Sequence, residues 1–169
     1  MLVKSFSPAG SNEPKVLILG SVPSKKSLEF HEFYGNARNH FWTLIADALR
    51  CEAESEYNKK IRMLEKNSIA VFDVLHSCER VSSMDKDIKN EVPNDIEGFI
   101  KKNKKLKLIC FNGTAAKKYF YKYFSHCDDG KIDFALLPSS SPIPTKSAKT
   151  AADKFDAWRV IRKYLSEEK

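Results

Sequence analysis

What this sequence lacks narrows it first. Nowhere in its 169 residues do about 18 apolar residues run together, the length a membrane-spanning helix needs. The opening Met1-Leu-Val-Lys-Ser-Phe-Ser-Pro8 has no apolar stretch of a signal peptide, so a cytoplasmic location is expected. Cysteine is sparse and scattered. Cys51, Cys78, Cys110 and Cys127 form no C-x-x-C pair, which argues against zinc fingers and thioredoxin-type chemistry and suits reduced thiols. Gly20 stands alone where a dinucleotide fold has G-x-G-x-x-G, and no G-x-x-x-x-G-K-[ST] occurs. H-E-x-x-H and G-x-S-x-G are missing too, which removes the usual metalloprotease and the Ser-His-Asp hydrolase signatures. Neither a metal nor a cofactor is expected.

What is present is an ordinary apolar fraction of 42% and a formal charge of +7, with a pI near 9.2. The first supports a packed core within one domain spanning residues 1–169. The second favours anionic partners, nucleic acid being the commonest, although a basic balance also serves plain solubility.

Strand and helix patterns alternate. Apolar runs at 16–19, 69–75, 106–111 and 134–137 read as strands, and helical spacing appears at 40–49, 54–66, from Pro93 to the lysine-rich run at 101–105, after Gly113 to Phe124, and from 151 to 166. The stretch His76-Ser-Cys-Glu-Arg80 reads as a loop. The pattern predicts an α/β fold, a single three-layer αβα domain with a short, four-stranded, mostly parallel sheet. Four strand ends then place four loops at one edge, where open α/β sheets bind ligands. The unusual polar segments of the chain fall there: Gly20-Ser-Val-Pro-Ser24, Tyr34-Gly-Asn-Ala-Arg-Asn-His-Phe-Trp42, Asp73 with its loop, Asn112-Gly113, and Leu137-Pro-Ser-Ser-Ser-Pro-Ile-Pro144. Such polar groups are costly to bury without partners, so the segments read as walls of a site. The lysines at 101–105 sit at the opposite edge and read as a solvated face.

Taken in order, Ile18-Leu-Gly-Ser-Val-Pro-Ser24, residues 34–42, Asp73-Val-Leu-His-Ser-Cys-Glu-Arg80, Phe111-Asn-Gly113 and Leu137-Pro-Ser-Ser-Ser-Pro142 resemble the uracil-DNA glycosylase superfamily, and more narrowly its hypoxanthine-DNA (deoxyinosine) glycosylase family. The resemblance covers nearly the whole chain. It implies a monomeric, monofunctional enzyme that flips a deaminated base out of DNA and hydrolyses its N-glycosidic bond without metal or cofactor. The product is an abasic site, with hypoxanthine the foremost base and uracil a second one. Strand cleavage is not expected, because residues 34–42 hold no lysine for a Schiff base.

The resemblance also assigns roles. Tyr34 stacks on the extruded base, where the bland alternative is a packed core tyrosine. Asn39, or failing it Asn36, is catalytic, although Asn39 also suits the cap of the helix that follows. Phe41 and Trp42 read as core. Many relatives carry Asp or Asn in the first loop to position water, whereas this chain offers only Ser21 and Ser24. That departure is shared by the hypoxanthine family and shifts weight to Asn39. Ser21, Asp73 and Asn112 are candidate base-binding groups, with local turn capping as the alternative for the last two. Ser139, Ser140 and Ser141 suit phosphate contacts, Ile143 a wedge in the duplex, and Lys146 phosphate neutralisation. Rival readings are a non-catalytic nucleic-acid-binding module on the same fold, a uracil- or mismatch-specific glycosylase, and a hydrolase of free nucleosides. The last lacks its carboxylate cluster.

Overall fold

The computed structural model describes residues 1–143 and 150–166. Along the chain run β1 (Leu2–Lys4), β2 (Ala9–Gly10), β3 (Val16–Gly20), α1 (Lys25–Phe30), α2 (Phe41–Ala48), α3 (Tyr57–Lys66), β4 (Ile69–Asp73), β5 (Leu75–Glu79), β6 (Lys89–Pro93), α4 (Ile96–Lys102), β7 (Leu108–Asn112), α5 (Thr114–Phe124), β8 (Asp133–Leu137), α6 (Ala151–Trp158) and α7 (Arg162–Leu165). Three short 3₁₀ turns interrupt them, one of which, Asp85–Asp87, lies between β5 and β6.

The four strands expected from the apolar runs are the four parallel strands of a five-stranded sheet ordered β2-β4-β3-β7-β8, with β2 added antiparallel at one edge. Every residue of β3 is buried. Its alternate side chains serve opposite faces, as the pleat requires. Val16 and Ile18 pack with Leu44 and Ile45 of α2 and Trp158 of α6, while Leu17 and Leu19 pack with Ala116 and Phe120 of α5 and Ile96 of α4. Helices therefore cover both faces, giving three αβα layers. A strand buried on both sides must be apolar throughout, which is why β3 was readable as an unbroken run.

Strand β3 has β4 on one side and β7 on the other, so the winding direction reverses at β3. The crevice beyond the strand ends at such a reversal is where doubly wound sheets hold ligands. Gly20 and Asp73 close β3 and β4 side by side in register, and Asn112 and Leu137 close β7 and β8 in the same way.

The chain differs from the sequence expectation beside this edge. Residues 76–79 are not a loop but part of β5. At Val74 the chain leaves the main sheet, and β5 enters a second, antiparallel sheet ordered β1-β5-β6. The amides of Val74 and Leu75 donate to the carbonyls of Gly20 and Ser21 at 2.9 and 3.2 Å, which fixes the departure point. Only Leu75 and Cys78 of β5 are buried, so its apolar signal is too thin for a strand assignment from sequence. Pro93, expected to open a helix, ends β6 instead. The helix start falls three residues later, where the Asp95 side chain caps α4 by accepting from the Gly98 amide at 2.9 Å.

Candidate active site

Gly20 sets the floor. A Cβ built on it would lie 2.6 Å from Asp73 Oδ1 and 2.9 Å from Tyr34 Oη, so the backbone of β3 admits no side chain there. The same contacts bring a carboxyl and a phenol hydroxyl to one point. Asp73 is 4% exposed, and its Oδ2 has no hydrogen-bond partner among the described residues; neither do Tyr34 Oη and Arg80 Nε. Unpartnered buried polar atoms are rare because each forfeits its hydration. Three of them cluster at this one strand edge.

Burial pushes the Asp73 carboxyl up to about 7, and the charge of Asp85 adds to the rise while the Arg80 guanidinium opposes it. Burial likewise raises the Tyr34 hydroxyl, with the neighbouring Asp73 charge adding to it. At neutral pH the floor therefore offers a hydroxyl that stays protonated and a carboxyl close to half protonated. Together they supply both donors and an acceptor in a low-dielectric setting.

Above the floor lies a cavity of about 490 Å³, of the size that takes a small organic ligand. Ser21, Asn36, Asn39, Asn112, Ser139 and Ser141 line it. Tyr34 adopts a left-handed backbone with φ 54°, which turns its ring onto Phe41 at 3.9 Å and 14° between planes. The packed reading of Tyr34 is met on the face that stacks on Phe41, while the residue also lines the cavity. Phe41 and Trp42 are core residues, buried as expected, with Trp42 Nε1 donating to the Phe33 carbonyl at 3.1 Å.

The two asparagines are placed alike. Asn36 Oδ1 accepts from the Arg38 amide at 3.0 Å, and Asn39 Oδ1 accepts from the Phe41 amide at 2.9 Å. Asn39 thus closes a two-residue turn onto the first residue of α2, whose N-cap is His40 rather than Asn39 and makes no side-chain cap. The turn uses the amide oxygen alone, and Asn39 Nδ2 has no partner among the described residues.

The Pro-Ser loop after β8 is pinned from several sides. Ser140 donates its amide to Asn112 Oδ1 at 2.8 Å, accepts from Asn112 Nδ2 on Oγ at 2.9 Å, and accepts from the His40 amide on its carbonyl at 2.9 Å. Trp158 Nε1 holds the Pro138 carbonyl at 2.9 Å, and the buried Lys154 ammonium holds the Ser141 carbonyl at 2.8 Å. Two of the expected site residues are thereby tied to each other. Ser140 is 1% exposed and Asn112 bonds it through both ends of its amide, yet both line the cavity, and Asn112 keeps a second N–H and a second lone pair. They form a strut between β7 and the loop. Ser139 and Ser141 remain at the cavity wall, Ile143 is 52% exposed at the rim, and Lys146 lies outside the described residues.

The opposite rim was not foreseen. Residues Ser83, Met84, Asp85 and Lys86, from the connection between β5 and β6, line the same cavity, and Asp85 Oδ1 accepts from Ser21 Oγ at 2.8 Å. Arg80 is buried and donates to the Pro23 carbonyl, tying this connection to the first loop. No periodicity marks these residues, because their partners stand more than fifty positions earlier in the chain.

Comparison with known proteins identifies the family and the fold. The family model of the uracil DNA glycosylase superfamily matches residues 7–165. The chain is 33% identical over 158 residues to a hypoxanthine DNA glycosylase of Methanosarcina acetivorans, covering 93% of this chain and 98% of that protein. A hypoxanthine DNA glycosylase of Methanosarcina barkeri is 31% identical over 120 residues, 70% of this chain and 76% of the relative. A solution NMR structure from M. acetivorans, provisionally assigned as a uracil DNA glycosylase, superposes with a TM-score of 0.81 at 31% identity, covering 98% of this chain and 99% of that one. The chain belongs to the uracil DNA glycosylase superfamily and is a DNA glycosylase. Among the described residues no helix is long and apolar enough to cross a membrane.

Proposed function

We propose that this glycosylase excises hypoxanthine from deoxyinosine in DNA, leaving an abasic site, and that it acts as a single monofunctional domain and a monomer in the cytoplasm. The names of the two Methanosarcina relatives support the choice of base, and the four free cysteines suit a reducing compartment. The observation that carries the reading is the pair of buried, unpartnered groups on the cavity floor, Asp73 Oδ2 and Tyr34 Oη. A deaminated base presents a lactam edge, one ring N–H beside one carbonyl oxygen. A neutral carboxyl complements it, accepting from the N–H and donating to the carbonyl, and the phenol hydroxyl adds a second donor. The cost of leaving both groups dry is then recovered only when a base is in place.

Such a base reaches the floor only out of the stack, so flipping is part of the proposal. Ile143 fills the vacated space, and Ser139 and Ser141 hold the backbone. The bond between C1′ and the base breaks with its electron pair leaving on the base. Asn39 Nδ2 donates to that developing charge, an oxyanion-type contribution made by a group already fixed at the start of α2. Uracil carries the same lactam pattern, which makes it the second substrate to examine. The test is incubation of the protein with duplexes bearing one deoxyinosine, deoxyuridine or deoxyxanthosine, followed by alkali. Cleavage at deoxyinosine is the expected result, and no cleavage at any of the three overturns the reading.

A further inference from the structure

Hydrolysis of a glycosidic bond needs a group that takes a proton from the attacking water, and an anion beside the sugar stabilises its oxocarbenium character. The first loop, residues 20–24, carries no acid or base, and Asp73 lies on the dry floor where the base is read. A second carboxyl nevertheless faces the cavity. Asp85 stands at the mouth in the 3₁₀ turn Asp85–Asp87, and its Oδ1 accepts from Ser21 Oγ at 2.8 Å.

The turn is built to hold that position. The Lys25 amide donates to Ser83 Oγ at 3.1 Å, the Met84 amide to Ser82 Oγ at 3.0 Å, and Ser82 Oγ in turn to Asp87. Asp85 is thus fixed from both sides of the cavity mouth while its carboxylate stays in contact with water. The two carboxyls of the cavity, one dry on the floor and one wet at the mouth, divide acid and base work between them.

We propose that Asp85 is the general base of this enzyme, with Ser21 as the relay between it and the attacking water. This rests on the reading of function above. The water oxygen bonds to C1′ as the bond from C1′ to the base breaks. The water proton passes to Ser21 Oγ, whose own proton passes to Asp85, and the departing base takes its proton from the neutral Asp73. One carboxyl gains the proton that the other supplies, and exchange with solvent resets the pair. The charge of Asp85 also bears on Asp73, whose other neighbours are the Arg80 cation and the Tyr34 hydroxyl.

Single-turnover release from a deoxyinosine duplex, measured from pH 5 to 9 together with duplex affinity by fluorescence anisotropy, tests this. In Asp85→Asn the rate falls at least about 100-fold, the scale of general-base catalysis, while affinity stays within about threefold. The residual activity has its alkaline limb moved to lower pH, because Asp73 no longer feels a neighbouring anion. In Asp85→Ala, added formate restores part of the rate, which a merely structural latch between the turn and the first loop does not allow. A rate in Asp85→Asn within threefold of the parent overturns the proposal, as does a loss that formate leaves untouched and that leaves the pH limb where it was. If the unaltered protein itself releases no base, it is the reading of function that has failed, and the parent reaction shows this separately.

Discussion

The two edges of the parallel sheet treat polar groups in opposite ways. At the amino-terminal edge the charges are exposed and paired: Lys105 meets Glu13 at 2.8 Å, and Lys101 on the last turn of α4 meets Glu97 at 3.2 Å. At the carboxyl-terminal edge three buried polar atoms, Asp73 Oδ2, Tyr34 Oη and Arg80 Nε, have no partner among the described residues. The first arrangement costs little and contributes little, because exposed ion pairs are worth about 0–1 kcal/mol. The second costs stability in the free protein, because each unpartnered buried atom forfeits its hydration. The lysine-rich face, conspicuous in sequence, makes ordinary exposed ion pairs, while the proposed function draws on the cavity at the other edge.

That contrast can be broken in a graded way. The largest effect is expected for Asn39→Ala. Removing the free amide nitrogen lowers single-turnover release from deoxyinosine by about 10²–10³-fold, with duplex affinity little changed. Gly20→Ala comes next. Its methyl group has no room beside Asp73 and Tyr34, so release falls by more than about tenfold and the melting temperature drops, as for other overpacked sites. A calorimetric scan read beside the rate tells the two losses apart.

Asp73→Asn acts through pH. The folded carboxyl titrates at about 7 against an ordinary 3.8, so between these values the folded state holds a proton that the unfolded chain has lost. The stability this proton confers is fully present below about pH 4 and disappears as pH rises to 7. The variant lacks that slope, and its melting temperature gains on the parent between pH 4 and 8. The parent's activity declines above about pH 7, when the floor loses its donor, and the variant's profile lacks this limb. Ser140→Ala removes one hydroxyl from the strut to Asn112 and costs about 1 kcal/mol in a denaturant titration, because the half-buried Asn112 Nδ2 loses this partner. Smallest of all is Lys101→Gln with Lys105→Gln, which changes base release by less than about twofold.

The parallel strands were legible because burial on both faces leaves an unbroken apolar run, as in Val16-Leu-Ile-Leu19. The second sheet was not, since in β5 only Leu75 and Cys78 face inward and in β6 no residue is fully buried. Helix α1 escaped for a different reason. Six residues closed by Ser24 at one end and by His31 in a left-handed conformation at the other show no helical period. At the site edge, residue type marked the segment 34–42 and Asp73, because polar and aromatic groups at strand ends and helix starts are hard to explain as packing, and the family resemblance singled out Tyr34 and Asn39. It could not reveal that Asn112 and Ser140 satisfy each other across 28 positions, nor that Asp85 reaches Ser21 across 64. Those are facts of topology.

One comparison of variants tests most directly whether the carboxyl edge of the sheet carries the function. Free hypoxanthine released from a deoxyinosine duplex is measured under single turnover for the parent, for Asn39→Ala, and for Lys101→Gln with Lys105→Gln. The prediction is equal release by the parent and the double lysine variant, and a loss of at least about 100-fold in Asn39→Ala. Parent-like release by Asn39→Ala, or a comparable loss in the lysine variant, would contradict the assignment of function to the carboxyl edge of the sheet.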